Sequence, residues 1–214
     1  MIASKLNEKR MDFNQRKDIC EIFFTRHDLD KNSQLVQNIR FQREKLQRST
    51  EFVENLILSS RKSIYVMMYI LTNNILSQAL IKAHNNGIEV FVVVDNSMRI
   101  SSQGKLSLLS KVGIPVKVFD IDTMHHKMCL IDVPNYDDDK NKKKNDNKIS
   151  KKFMKEETIQ IPDNGIIING SMNWTNEGLM RNRENFAVIS NAVACQSALA
   201  EFLIVWKNAK DFED

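Results

Sequence analysis

"SIYVMMYILTNNILSQALIKAHNNGIEVFVVVD", Ser63 to Asp95, decides the fold class. Its ends, "SIYVMMYIL" and "IEVFVVVD", are short continuous apolar runs of the kind that form strands buried on both faces. Between them, "NNILSQALIKAHNNG" reads as a helix stopped by Gly87. Helices alternating with continuous apolar strands indicate an α/β sheet covered on both sides.

The pattern extends in both directions. Upstream, apolar residues at Phe52, Val53, Leu56 and Ile57 recur at helical spacing within a segment from about Arg40 to Ser60. Residues 1–38 lack a clean period, although "ICEIFF" (Ile19 to Phe24) can form one short strand. Downstream, "GKLSLLSKVG" suits a helix closed at Gly113, followed by strands in "IPVKVFD" and "MHHKMCLID". After an interruption, "GIIING" is a strand, "SMNWTNEGLMRN" a short helix or loop and "ENFAVI" a strand; Ala192 to Lys210 make a closing amphipathic helix. The expectation is an irregular extension over 1–38 and one α/β domain over 39–214, with a mixed, mostly parallel sheet flanked by helices on both faces. The interruption covers about 134–163. Between Tyr136 and Glu157 it holds eight lysines and six acids with almost no apolar residues, a composition that cannot bury a core, and it reads as a disordered surface insertion.

Composition excludes several classes. The 214 residues suffice for one well-cored domain, and the net charge of +4 tolerates a polyanion without requiring one. Cys20, Cys129 and Cys195 are odd in number and far apart, which is neither a disulfide framework nor a zinc knuckle and suits a reducing compartment. No apolar run approaches the roughly 18 residues of a spanning helix. The N-terminus is too charged for a signal peptide, and its Glu8, Asp12 and Asp18 argue against a transit peptide.

Within "MHHKMCLID" two histidines and a lysine interrupt a strand that otherwise reads as buried. Side chains two apart share a strand face, so His125 and Lys127 point together, with Cys129 and Ile131 behind them, while His126 faces the other way. An imidazole beside an ammonium suits a nucleophile or proton carrier next to a holder of negative charge, as attack on a phosphate ester requires. Gly170, Ser171 and Asn173 of "GSMNWT" follow a strand; a hydroxyl, a carboxamide and a following helix N-terminus would make a phosphate-sized cradle. A Glu184 carboxylate could bond the far nitrogen of His125 and fix its tautomer, as the third member of a triad does.

His-x-Lys-x4-Asp at His125, Lys127 and Asp132, Gly-Ser-x-Asn at Gly170 to Asn173, and Glu184 with Asn185 together resemble the phospholipase D superfamily. The wording "HHKMCLID" with "GSMNWT" is most similar to its small single-motif branch of Zucchini and mitochondrial phospholipase D proteins. The likeness spans roughly residues 45–210. It implies a phospholipase D-like sandwich with one such motif per chain and a catalytic set of His125, Lys127, Asp132, Asn173 and Glu184. Lys127, Ser171 and Asn173 would bind the phosphate, with no metal or other cofactor. It further implies a phosphohistidine on His125, a C2 homodimer sharing one active site, and proton transfer by the partner's histidine. Asp132 falls on the strand face away from His125, which favours a structural hydrogen-bonding role.

Members of that branch often carry a membrane helix and a Cys/His zinc insertion; neither pattern is visible here, and Cys20 with His27 falls short of four ligands. The branch implies the mitochondrial outer membrane, but without a visible anchor the cytoplasm stays open. His126 reads as a buried, hydrogen-bonded histidine, Trp174 as either a stacking platform or a core residue, and Cys129 and Cys195 as apolar fillers.

Two substrates fit one chemistry. Arg99, Lys105, Lys111, Arg181 and Arg183 flank the motifs and favour single-stranded nucleic acid. By the resemblance this is endoribonucleolytic cutting to 5′-phosphate ends in a piRNA-type pathway; the alternative is hydrolysis of the phospholipid cardiolipin to phosphatidic acid. A third reading is a non-catalytic nucleic-acid-binding module.

Overall fold

A computed structural model describes residues 19–25, 50–135 and 159–213. The strands are β1 (Ile19–Phe24), β2 (Ser63–Met68), β3 (Glu89–Asp95), β4 (Val116–Phe119), β5 (Lys127–Ile131), β6 (Ile166–Gly170), β7 (Asn185–Ser190) and β8 (Lys210–Asp211). The helices are α1 (residues 50–58), α2 (Asn74–Asn85), α3 (Arg99–Lys111), α4 (Asn176–Met180) and α5 (Ala192–Asn208).

The strands form one sheet in the order β1-β7-β6-β5-β2-β3-β4-β8. Alternation sorts their side chains. Ile64, Val66 and Met68 of β2, with Cys129 and Ile131 of β5, pack beneath Val53, Leu56, Leu76, Leu80, Leu106 and Leu179 of α1 to α4. Tyr65, Met67, Met128 and Leu130 face Cys195, Leu199, Phe202 and Val205 of α5. Helices therefore cover both faces, and burying the strand side chains from each side is the main stabilising term, roughly 1.5–3 kcal/mol for each large aliphatic residue.

Three expectations are corrected. The sheet is mixed but not mostly parallel: only β2–β3 and β3–β4 run parallel, across the crossovers made by α2 and α3. The pairs β5–β2, β6–β5, β7–β6, β1–β7 and β8–β4 are antiparallel. Second, α3 starts five residues before Gly104, at Arg99. Its core-facing row is Ser102, Leu106 and Leu109, and the buried Ser102 hydroxyl accepts the Leu71 N–H (3.1 Å), so a polar residue hid the helix's first turns. Third, Lys210 leaves the closing helix to start β8, with its ammonium 2.6 Å from Asp120. Gly87 (φ 87°) and Gly113 (φ 91°) follow α2 and α3 in the left-handed conformation their stop signals predict. The lysine-rich run and the expected helix before residue 50 lie outside the described residues, apart from the insertion's ends at 134–135 and 159–163.

Candidate functional site

Strand directions gather the motifs. Because β5 runs antiparallel to both β2 and β6, its N-terminal end lies beside their C-terminal ends. β7 runs antiparallel to β6, so its start joins the same edge. His125 and Lys127, Ser171 and Asn173, and Glu184 thus meet at one edge of four adjacent strands.

The segment after β2 stitches the two halves together. Tyr69 N–H donates to the His126 carbonyl (2.8 Å), Ile70 N–H to Asn173 Oδ1 (3.2 Å), and Thr72 and Asn73 N–H to the Trp174 carbonyl (2.9 and 2.8 Å). The Tyr69 ring lies 4.5 Å from the exposed His125 ring and 4.6 Å from Lys127 Nζ, measured from its centroid. That ring is a ready surface against which an imidazole and an ammonium are held in one place.

Lys127 is only 7% exposed. Its ammonium donates to the His125 carbonyl (2.8 Å) and sits over the Tyr69 face, and among the described residues nothing else accepts from it. An ammonium has three N–H groups, so donors remain for a ligand. Burial pushes its pKa below the ordinary value, while the charges of Glu184 and, more weakly, Asp95 pull it back up. Asn173 is oriented in a similar way: Ile70 N–H occupies its oxygen, and among the described residues nothing accepts from its Nδ2. Both side chains have one end fixed and donors left over.

Ser171 and Glu184 form the third part. Ser171 Oγ donates to Glu184 Oε2 (2.5 Å) and accepts Asn185 N–H (3.0 Å), while Asn182 Nδ2 donates to Glu184 Oε1 (3.1 Å). The close approach of β7 to this turn demands glycine at 170, where a Cβ would lie 2.1 Å from the Asn185 carbonyl oxygen. Glu184 makes no hydrogen bond to His125, contrary to the triad expected from sequence: its oxygens are taken by Ser171 and Asn182, and it acts on Lys127 through charge. The helix after the cradle is also not open. It has five residues, and Thr175 caps it by accepting Gly178 N–H (2.8 Å).

Asp132 is not brought to this cluster. It lies at the opposite end of β5, 4% exposed and at φ 55°, where Oδ1 accepts the N–H groups of Arg61, Lys62 and Ser63 (3.0, 2.7 and 3.2 Å). Oδ2 accepts Arg61 N–H (2.9 Å) and faces its guanidinium, whose far end donates to the Ile161 carbonyl (2.8 Å). Aspartate tolerates the left-handed backbone, and its carboxylate closes the turn into β2. His126 does face the other way, but it is half-exposed and bonded to Glu201 of α5 (3.1 Å) rather than buried. Trp174 is a core residue, 1% exposed. Cys129 and Cys195 are buried, with burial raising both thiol pKa values, and Cys20 is exposed on β1; His27 lies outside the described residues. Of the flanking cations, Arg181 and Arg183 are exposed, Lys105 bonds Asn74 (2.9 Å) and Arg99 bonds the Glu213 carbonyl (2.6 Å).

Sequence reading missed three contributors. Thr25 Oγ1 accepts Glu184 N–H (2.6 Å) and donates to the Asn182 carbonyl (2.9 Å), anchoring the main chain at Glu184 from the residue after β1, which no sequence pattern singles out. Asp95 did carry a signal, being a polar residue at the C-terminal end of an apolar strand run, whereas Tyr69 sits inside the run "SIYVMMYIL" and reads as one more strand residue. Among the described residues, no group of three or more His, Cys, Asp or Glu could hold a metal ion, and no helix is long and apolar enough to cross a membrane.

Comparison with known proteins identifies the class. Residues 53–206 match the family described as cardiolipin synthase, PLD-like domain, and the chain belongs to that phospholipase D-like family. It is 27% identical over 154 residues to a mitochondrial cardiolipin hydrolase of Drosophila melanogaster, covering 68% of this chain and 53% of that protein. Against the Homo sapiens protein of the same name, identity is 25% over 153 residues, covering 71% and 48%. The chain thus spans about half the length of these relatives. The fold is also that of Nuc from Salmonella typhimurium, a phospholipase D family member, with a TM-score of 0.62 and 19% identity over 92% of this chain and 99% of that one.

Proposed function

We propose that the chain hydrolyses phosphodiesters at His125. The observation that carries this is the buried Lys127 ammonium, tethered to the His125 carbonyl with donors left over, beside an exposed imidazole. A His125 nitrogen attacks phosphorus; as the N–P bond forms, the bond to the leaving oxygen breaks. Lys127 and Asn173 Nδ2 hold the non-bridging oxygens, whose charge grows in the transition state; Ser171, expected to join them, already gives its hydroxyl proton to Glu184 and its N–H to the Asn185 carbonyl. Glu184 orients Ser171 and keeps Lys127 protonated. Water then attacks phosphorus, the N–P bond breaks, and the phosphate product leaves.

The leaving oxygen needs a proton and the water must lose one. His126 is engaged with Glu201 on the far face, and His84 lies near the end of α2. We therefore assign both transfers to His125 of a second copy, in a C2 homodimer with a shared site. A strictly monomeric, fully active protein contradicts this.

Single-stranded RNA, cut to leave 5′-phosphate ends as in piRNA-type small-RNA production, is the substrate we favour, since the exposed Arg181 and Arg183 flank Glu184 and can track phosphates. A second reading, cardiolipin hydrolysis, draws on Ile100 (84% exposed) and Ile121 (66% exposed), which follow β3 and β4 at the same sheet edge and could meet a lipid surface. The test is cleavage of labelled single-stranded RNA and of cardiolipin vesicles, in EDTA, by the wild type and His125→Asn. RNA products with 5′-phosphates, lost in the variant, support the first reading; vesicle hydrolysis with intact RNA supports the second. RNA binding without cleavage in either protein makes the chain a binding module.

A further inference from the structure

We propose that Asp95 is a positioning residue for the His125 site, holding the main chain at Met124 and so fixing where the imidazole stands. Asp95 ends β3 and is 2% exposed. One carboxylate oxygen accepts Ser97 N–H (2.8 Å) and the Ser97 hydroxyl; the other accepts Met124 N–H at 2.7 Å. An ionised acceptor makes these bonds roughly twice as strong as neutral ones. The Met124 side chain is itself buried among Val93, Phe119 and Phe202. The residue before His125 is thus fixed at both main chain and side chain, although it precedes β5 and lies outside the sheet ladder.

The far side of the imidazole is held independently: the His126 carbonyl accepts Tyr69 N–H, and the His125 carbonyl accepts the Lys127 ammonium. His125 therefore stands between two anchors, and Asp95 supplies the upstream one. Its charge also reaches the site. The groups facing Lys127 are Glu184 at the head of β7, Asp95 on β3, His125 on its own segment and the Tyr69 ring after β2. A nucleophile displaced by about 1 Å can lose on the order of 100-fold in rate with little change in substrate binding.

The inference rests on the phosphodiesterase reading, and the test separates the two. Hydrolysis of a chromogenic bis-aryl phosphodiester, too small to need a groove, is followed against pH for the wild type, Asp95→Asn, Ser97→Ala and His125→Asn. Asparagine keeps the shape and one acceptor but loses the charge and turns an N–H toward Ser97. The expected result for Asp95→Asn is a kcat lower by roughly 100-fold at nearly constant KM, with the loss of activity at the highest pH, where Lys127 rather than a histidine gives up its proton, moved to lower pH because Lys127 loses a charge that favours its protonated form. Ser97→Ala, which removes one brace of the carboxylate, should lower kcat less and in the same direction. Wild-type kcat and pH profile in Asp95→Asn overturn the proposal. So does a loss that only tracks unfolded protein while Ser97→Ala keeps wild-type kcat. Cleavage retained by His125→Asn instead removes the underlying reading, whatever the other variants do.

Discussion

At one end of β5, Asp132 is surrounded by donors: three consecutive N–H groups and a guanidinium meet its two oxygens, and the carboxylate is used up in closing a turn. At the other end, Lys127 is buried almost as deeply but has one carbonyl and one aromatic face, and the Asn173 amide beside it is held by its oxygen alone. Buried polar groups are normally satisfied, so the difference is informative. A charge whose partners are complete is part of the framework; one left with spare donors beside an exposed imidazole is prepared for a ligand. The same five-residue strand separates the two roles, and its stiffness keeps the second end in place.

Breaking the open end should cost the most activity. His125→Asn is expected to lower phosphodiester cleavage by about 10⁴-fold or more, with the melting temperature unchanged; steady-state assays beside calorimetry check both. Lys127→Met should lower kcat by about 10²–10³-fold, the range for losing one donor to developing charge. Its effect on stability has the opposite sign. The folded pKa of Lys127 lies below the ordinary 10.5, so the unfolded chain binds the proton more tightly and stability rises with pH between the lowered value and 10.5. At neutral pH the charge opposes folding, and thermal unfolding of Lys127→Met should show a melting temperature equal to or above that of the wild type.

The closed end should respond the other way. Asp132→Ala leaves three backbone N–H groups without an acceptor and places alanine at φ 55°, which should cost about 3 kcal/mol or more in denaturant unfolding. Its kcat per folded molecule should be that of the wild type. The smallest effect belongs to the half-exposed His126–Glu201 pair: Glu201→Gln should cost about 0.2–1 kcal/mol, less at high salt, without altering cleavage.

Much of this was legible in the chain. Apolar runs bounded by turn signals mark seven strands, the central ones continuous because they are buried on both faces, and strand parity places His125 with Lys127 and apart from Asp132 and His126. What failed depended on partners distant in sequence. Parity cannot tell parallel from antiparallel neighbours, and the expectation of a mostly parallel sheet fails at β5 to β7. The first turns of α3 escape an apolar pattern because Ser102, on the buried row of that helix, is polar and finds its partner in the Leu71 N–H. A carboxylate and an imidazole in one motif set suggest a triad, yet the turn at Gly170 puts the Ser171 hydroxyl on the Glu184 carboxylate. Thr25 acts on Glu184 and Asp95 on Met124 through main-chain N–H groups, so even where the end of an apolar run marks Asp95, its partner is not legible.

The most direct test of the division within β5 is kcat on one small phosphodiester for His125→Asn and Asp132→Asn, side by side and normalised to folded protein. The account predicts cleavage abolished in the first and retained in the second, with only the second less stable. Equal loss of kcat in both, or cleavage surviving in His125→Asn, would contradict it.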